Sequence, residues 1–276
     1  MKTYPSIPHV ADAPEVVEEG HLWLLEKLDG AQLRFQLRES GLIRFGTRER
    51  IYDDPGEVPA PYQHAVRHVR ERLDRDALRR ALDDVEGVVF FGEATHRHAI
   101  EYDWERTPSF LGFDVWADGR FLPPDATEEI FDRLGLHPVN AVDREVRARD
   151  FDPGSFEIPD SAWYDGPAAG VVIRNKRGGR AIFHHPDVAV DEATPIDASA
   201  EELAASCLRG RFETLASALE DRGEPVTVDA LSERAFEALV REHHSGLSHG
   251  ETGVELASLR SAVATLTQRF LDTSNG

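Results

Sequence analysis

Lys27 stands in a chain that otherwise writes its positive charge as arginine. The sequence holds three lysines, Lys2, Lys27 and Lys176, against 28 arginines. A guanidinium stays protonated above about pH 12 and cannot attack an electrophile. A lysine amine can lose its proton when burial or a neighbouring cation depresses its pKa from about 10.4. Lys27 therefore reads as a candidate nucleophile, beside the plainer reading of a surface lysine. Asp29 lies two residues on, so on an extended backbone the two side chains share a face. Gly30 carries no Cβ and lets a ligand approach the main chain. Lys-x-Asp-Gly recurs by chance and gains meaning only with partners further along the chain.

Several such partners stand downstream. Glu93 ends the apolar run "GVVFFGEA" (87–94), where an acid is unusual unless paired. Phe110 and Phe113 in "FLGFDVW" read either as core aromatics or as a stacking surface. His96 and His98 alternate along an extended stretch but lack a third metal ligand at familiar spacing. His184 and His185 are adjacent, so at most one faces a given site. His243, His244 and His249 fall at an expected helix end, where histidine suits the macrodipole, and carry little functional weight. Arg67, Arg70, Arg72, Arg75, Arg79 and Arg80 interleave with Glu71, Asp74 and Asp76. They read as an ion-paired, solvated helix rather than a track for a nucleic-acid backbone.

The elements that must position these residues are legible in outline. Residues 21–47 hold three short apolar segments broken by Asp-Gly and Ser-Gly, which predicts three successive strands joined by tight turns. Residues 61–87 have helical spacing, with Ala65, Val69, Leu73, Leu78 and Leu82 near one face. A buried strand is expected at 87–94, two strands around Ala-Asp-Gly at 109–124, a short helix at 126–136 and a Gly-Gly hairpin at 169–185. Beyond about residue 190 the period is helical throughout, and Ser199 followed by Glu202 is a helix-entry signal. The expected architecture is α+β, with an N-terminal domain over 1–190 and an all-α domain over 191–276, joined near 186–197.

Composition bounds the function classes. Apolar residues make up 41% of the 276 positions, which is enough for a packed core, and the formal net charge is −20. Such acidity argues against a general basic nucleic-acid binder, though a local arginine-lined groove can sit on an acidic shell. Acid excess with few lysines fits a halophilic protein, since 1 M salt shortens the Debye length to about 3 Å. Cys207 is the single cysteine, so no internal disulfide forms. With no signal-like start and no apolar run of membrane length, the expectation is a soluble cytoplasmic protein. Nothing points to an obligate protein partner or to a membrane.

Taken in order, these segments resemble the covalent nucleotidyltransferase superfamily of ligases and mRNA capping enzymes, and within it the ATP-dependent RNA ligases. "EKLDG" (26–30) is similar to the first motif, whose lysine takes AMP as a phosphoramidate. "FGTRER" (45–50) resembles the second, placing a phosphate- or end-contacting arginine at Arg48. "FFGEATHRHAIEYD" (90–103) resembles the third, with the ribose-binding acid at Glu93 and the later His98, Tyr102 and Asp103. "FLGFDVW" (110–116) resembles the fourth, whose phenylalanine stacks on adenine, here Phe113 with Phe110 in reserve. "AGVVIRN" (169–175) and "GRAIFHHPD" (179–187) resemble the last two. The likeness spans residues 21 to 187.

What the resemblance implies is a ligase adenylation domain of ATP-grasp-like, antiparallel character with flanking helices. Lys27, Asp29 and Arg48 would be catalytic. Glu26, Lys27, Gly30, Glu93, Phe113, Arg174, Lys176 and Arg180 would hold the nucleotide. The cofactors would be ATP with Mg²⁺ or Mn²⁺, and the substrates RNA ends bearing a 5′-phosphate and a 3′-hydroxyl. The resemblance assigns no metal-ligating residue. An all-helical C-terminal region favours an RNA ligase over the strand-rich OB domain of DNA ligases and capping enzymes. Two positions depart from the pattern. Ala169 stands where the family has a glutamate, and Ile182 where it has a phosphate-gripping lysine, unless a shift of one or two residues brings Arg180, Lys176 or a histidine there. The alternative reading is a degenerate protein that binds nucleotide or RNA ends without turnover.

Overall fold

In the computed structural model, which describes residues 1–188, 196, 198–208, 210–248 and 254–274, the chain divides into two compact units. One comprises 1–95 and 99–190, the other 96–98 and 191–276. The boundary expected between 190 and 191 lies outside the described residues, as does His249.

The first unit holds β1 (His21–Glu26), β2 (Ala31–Leu37), β3 (Ile43–Gly46), β4 (Ile51–Tyr52), α1 (Gln63–Arg72), α2 (Arg75–Ala81) and β5 (Val89–Ala94). It continues with β6 (Phe110–Ala117), β7 (Arg120–Phe121), α3 (Pro124–Arg133), β8 (His137–Pro138), β9 (Ala141–Arg147), β10 (Gly170–Asn175) and β11 (Arg180–His184). Four strands form one sheet in the order β11-β10-β1-β9. The second sheet runs β4-β3-β2-β5-β6-β7, with β8 pairing parallel to β6. The fold is α+β, with antiparallel sheets, flanking helices and C-terminal helices, as the sequence led us to expect.

Strand β1 shows why the first sheet is central. Its "HLWLLE" is buried at all but the first residue. Leu22 and Leu24 enter a cluster with Val10, Val171 and Ile173, while Trp23 and Leu25 enter another with Leu111, Val139 and Ala169. Both faces are covered, so the strand reads as a continuous apolar run.

Two expectations change, and one strand was not foreseen. Strands β2 and β3 form the anticipated hairpin, but β1 does not pair with β2. Its ladder continues on both edges, through Glu26 N–H to the Asn140 carbonyl and Lys27 N–H to the Gly170 carbonyl. No edge remains for β2, so Leu28-Asp29-Gly30 crosses between sheets instead of turning a hairpin. The single helix expected over 61–87 breaks at Leu73. There Asp74 accepts a hydrogen bond from Ala77 N–H and starts a new helix. Strand β9, "AVDREVR", had no apolar alternation to reveal it. It is a sheet edge with mostly exposed residues, where charge protects an unpaired backbone.

The second unit contains α4 (Ala200–Cys207), α5 (Phe212–Glu220), α6 (Val228–Glu242), α7 (His244–Ser248) and α8 (Leu256–Ser274). Ser199 and Glu202 form the reciprocal capping box that their spacing implied. Leu231, Ala235 and Leu239 of α6, with Leu259 and Val263 of α8, are buried at the helical period. No helix among the described residues is long and apolar enough to cross a membrane.

One buried carboxylate joins the two sheets. Asp114 on β6 is fully buried and accepts hydrogen bonds from Arg174 on β10 and Arg180 on β11, at 3.0 Å each, and from the Tyr4 hydroxyl at 2.9 Å. Burial, then the Asp114 charge, raises the Tyr4 pKa well above its ordinary value, so the phenol keeps its proton and donates. Removing the carboxylate charge would leave two buried guanidinium groups without their counter-ion. Asp114→Asn is therefore expected to cost about 3–5 kcal/mol of stability, read as a lower urea midpoint at unchanged slope. A midpoint within experimental error of the parent chain's would refute this role.

Candidate active site

A cavity of about 500 Å³ opens in the first unit. Lys27, immediately after β1, lines it beside Val172 of β10 and Ile182 of β11. Glu93 of β5, Phe113 of β6 and Arg48, just after β3, line it from the other sheet. The strands that carry these residues come from distant parts of the chain, and the cavity is where their ends converge.

The backbone around Lys27 is held firmly. Glu26 is buried, and its carboxylate accepts from Ser161 Oγ, from Asn140 Nδ2 at 3.0 Å and from Ala162 N–H at 3.1 Å. Asp29 is equally engaged. Its Oδ2 accepts from Ala99 N–H and Ile100 N–H, both at 2.7 Å, while Asp29 N–H donates to the Tyr102 hydroxyl at 2.7 Å. Asp29 thus clamps the segment after β5 and does not line the cavity. Gly30 passes so close to β5 that a Cβ there would lie 2.5 Å from the Ala94 carbonyl oxygen and 2.9 Å from Glu93 Cγ. Only glycine fits without displacing the Glu93 side chain.

Glu93 is the electrostatically unusual group. Burial pushes its pKa up to about 8, opposed by the Lys27 charge and reinforced by the Asp29 charge. Tyr62, also on the cavity wall, is pushed up to about 12 by burial and then by Glu93. Partial desolvation lowers the His184 pKa, and the Lys27 charge adds to that, but this histidine is exposed at the end of β11 and does not line the cavity. A raised carboxyl, a lysine and an aromatic wall in one cleft form the kind of arrangement that functional sites use.

The remaining expected residues separate into two groups. Arg174 lines the cavity but is buried, and it spends its donors on the Phe113 carbonyl, the Leu122 carbonyl and Asp114. Arg180 binds Asp114, Tyr4 and the Gly178 carbonyl, and Lys176 binds Glu145 at 2.7 Å and Asp125 at 3.3 Å. Neither lines the cavity. Of the two aromatic candidates, Phe110 is fully buried among Phe35, Phe90 and Phe131, and Phe113 is the one on the cavity wall. Ala169 is buried in an apolar cluster with Trp23 and Leu25.

Sequence reasoning missed the amino-terminal wall. Tyr4, Pro5, Ser6 and Ile7 line the cavity. The segment is pinned there by Ile182 N–H donating to the Pro8 carbonyl and by Arg48 Nη2 donating to Ser6 Oγ at 2.9 Å. Its ring at Tyr4 meets Phe113 edge-on, with centroids 5.1 Å apart. The stretch has no period, and no local signal could have placed it.

The Glu93 shift has a measurable consequence. Between about pH 4.5 and pH 8 the folded chain keeps a proton that the unfolded chain releases, so this group's contribution is full at low pH and is lost as pH rises through about 8. Glu93→Gln removes the penalty of ionising in the cleft. It should be more stable than the parent chain at pH 9 by about 2–4 kcal/mol, and near parity at pH 4. Equal denaturant midpoints at both pH values would show that burial does not shift Glu93.

The family model described as RNA ligase matches residues 20–183. No curated protein matches the chain. Among solved structures, an archaeal ATP-dependent RNA ligase is similar with a TM-score of 0.50 and 16% identity, over 89% of this chain and 64% of that one. A Naegleria gruberi RNA ligase with PPi gives a TM-score of 0.50 and 16% identity, over 66% of this chain and 56% of that one. A mutant of the Naegleria protein with ATP and Mn also gives 0.50, at 16% identity over 67% and 56%. At these identities the likeness is one of fold, and the chain spans less than two thirds of each structure. The motifs at Lys27, Glu93 and Phe113 lie inside the matched residues, and the chain belongs to the RNA ligase family.

Proposed function

We propose that the chain is an ATP-dependent RNA ligase that works through a covalent lysyl-AMP on Lys27 and seals or repairs RNA ends. The observation that carries the reading is the convergence of Lys27, Glu93 and Phe113 on the lining of one cavity of about 500 Å³. The similar Naegleria protein, solved with ATP and Mn, supports the nucleotide and a divalent ion.

The residues fit a nucleotide. Phe113 offers a face for the base, a contact that contributes about 1–3 kcal/mol in other nucleobase sites. Glu93, largely protonated near neutral pH, offers both a donor and an acceptor to ribose hydroxyls. Arg48 reaches the mouth and offers a fork of donors to phosphate. The residues lining this cavity do not make a magnesium cage. The cavity carboxylates are Glu93 and Glu26, and the oxygens of Glu26 are already engaged. A divalent ion would arrive with the triphosphate and supply charge neutralisation there.

In the first step the neutral Lys27 amine attacks the α-phosphorus of ATP. A P–N bond forms, the P–O bond to pyrophosphate breaks, and the amine's proton passes to solvent. An RNA 5′-phosphate oxygen then attacks the same phosphorus and breaks the P–N bond, returning the lysine. A 3′-hydroxyl finally displaces AMP to make the phosphodiester. Positioning and charge neutralisation carry such transfers, and the fixed backbone at Glu26 and Lys27 serves the first of these.

A second reading, binding without turnover, is favoured by one observation. Ile182, at the position where a phosphate-gripping lysine is expected, presents an apolar side chain to the cavity. Labelling with α-³²P-ATP and Mg²⁺ or Mn²⁺ at high salt separates the two. For a ligase, label stays on the denatured parent chain and is absent from Lys27→Ala. Reversible binding with no retained label supports the second reading. Ile182→Lys restores a cation at the phosphate, and its labelling should run about 10²–10³ times faster than the parent's. An unchanged or slower rate would show that Ile182 does not occupy the phosphate position.

A further inference from the structure

Three histidines of the second unit converge where the sequence showed only two. His96 and His98 belong to this unit, together with the helices beyond residue 190. Arg97 N–H donates to the Arg241 carbonyl at 2.9 Å, and Ser245 N–H donates to the Arg97 carbonyl at 3.0 Å. These two backbone bonds hold the segment at the junction of α6 and α7. His244, the first residue of α7, is thereby brought against both imidazoles. Ring centroids lie 3.9 Å apart for His96 and His244, 4.8 Å for His98 and His244, and 4.9 Å for His96 and His98. The Nε2 atoms of His96 and His98 face one another at 3.1 Å.

We propose that His96, His98 and His244 form a binding site for a borderline-soft divalent transition metal, zinc foremost. One nitrogen from each ring can be chosen so that all three lie within 4.8 Å of one another. A tetrahedral zinc with bonds of about 2.0–2.1 Å sets its nitrogens about 3.3 Å apart, so the His96–His98 pair is already near that spacing. The third nitrogen would move inward on binding. His96 is fully buried and His244 is 9% exposed, so an ion held there would be largely shielded from water. Three imidazoles are a zinc-type donor set with a coordination position left for water. They are a poor set for magnesium, which takes oxygen ligands. This site is chemically separate from any ion that travels with a nucleotide triphosphate. By tying residues 96–98 to α7, a bound ion would add a cross-link inside the helical unit.

The test uses the full chain without a polyhistidine tag, stripped by chelator and dialysed. Titration with Co²⁺ should produce visible d–d absorption that Zn²⁺ displaces, and Zn²⁺ calorimetry should give one equivalent per chain with a raised melting temperature. His98→Ala and His244→Ala should each weaken binding by about 100-fold or more. His21→Gln, on an exposed strand end, should leave it unchanged. Circular dichroism identifies any alanine variant that fails to fold, in which case the glutamine variant at the same position takes its place. Failure of the parent chain to bind one equivalent overturns the proposal. So does binding that survives intact in the folded His98 and His244 variants.

Discussion

The Asp114 carboxylate, with Arg174, Arg180 and Tyr4 arranged around it, is the constraint on which the rest of the first unit depends. It sits on one sheet and takes its partners from the other and from the amino-terminal segment. Taking an ion cluster out of water is costly, and it is tolerated only with nearly complete hydrogen bonding. Here each guanidinium also finds backbone carbonyls. One of these carbonyls belongs to Phe113, so the group that bridges the sheets also fixes a wall of the cavity. The same arrangement removes two arginines from the pool that could meet a phosphate.

That removal shapes the chemistry. Among the charged groups that line the cavity, Glu26 and Arg174 are already engaged by the protein, which leaves Lys27, Glu93 and Arg48. The cavity's far wall is apolar, with Val172 and Ile182 on neighbouring strands. On the proposed reading, a phosphoryl transfer in this setting would rely on positioning more than on a field of fixed cations. Added salt would leave such a buried arrangement little affected because screening acts on exposed charge.

Much of this was legible in the sequence, for identifiable reasons. Lys27 and Glu93 stood out by type, a lysine among arginines and an acid closing a buried strand, whereas Phe113 was singled out only through the family resemblance. The hairpins at 118–119 and 175–180 were legible because turn residues mark them locally. What escaped was non-local. Whether β1 pairs with β2 depends on β9 and β10, more than a hundred residues away. Whether Arg180 meets a phosphate or a carboxylate depends on where Asp114 lies, and no spacing encodes that. The placement of His244 against His96 and His98 depends on the backbone bonds of Arg97 to Arg241 and Ser245, invisible to any reading by period.

The doubly bonded backbone at Glu26 and Lys27 has one more consequence. With the Glu26 amide tied to Asn140 and the Lys27 amide tied to Gly170, the main chain beneath the amine is a stationary pedestal. Only the torsions of four methylene groups can move the nitrogen. On the proposed reading, it is the amine's own side-chain torsions, and not backbone motion, that would bring the nitrogen to an electrophile in the cavity.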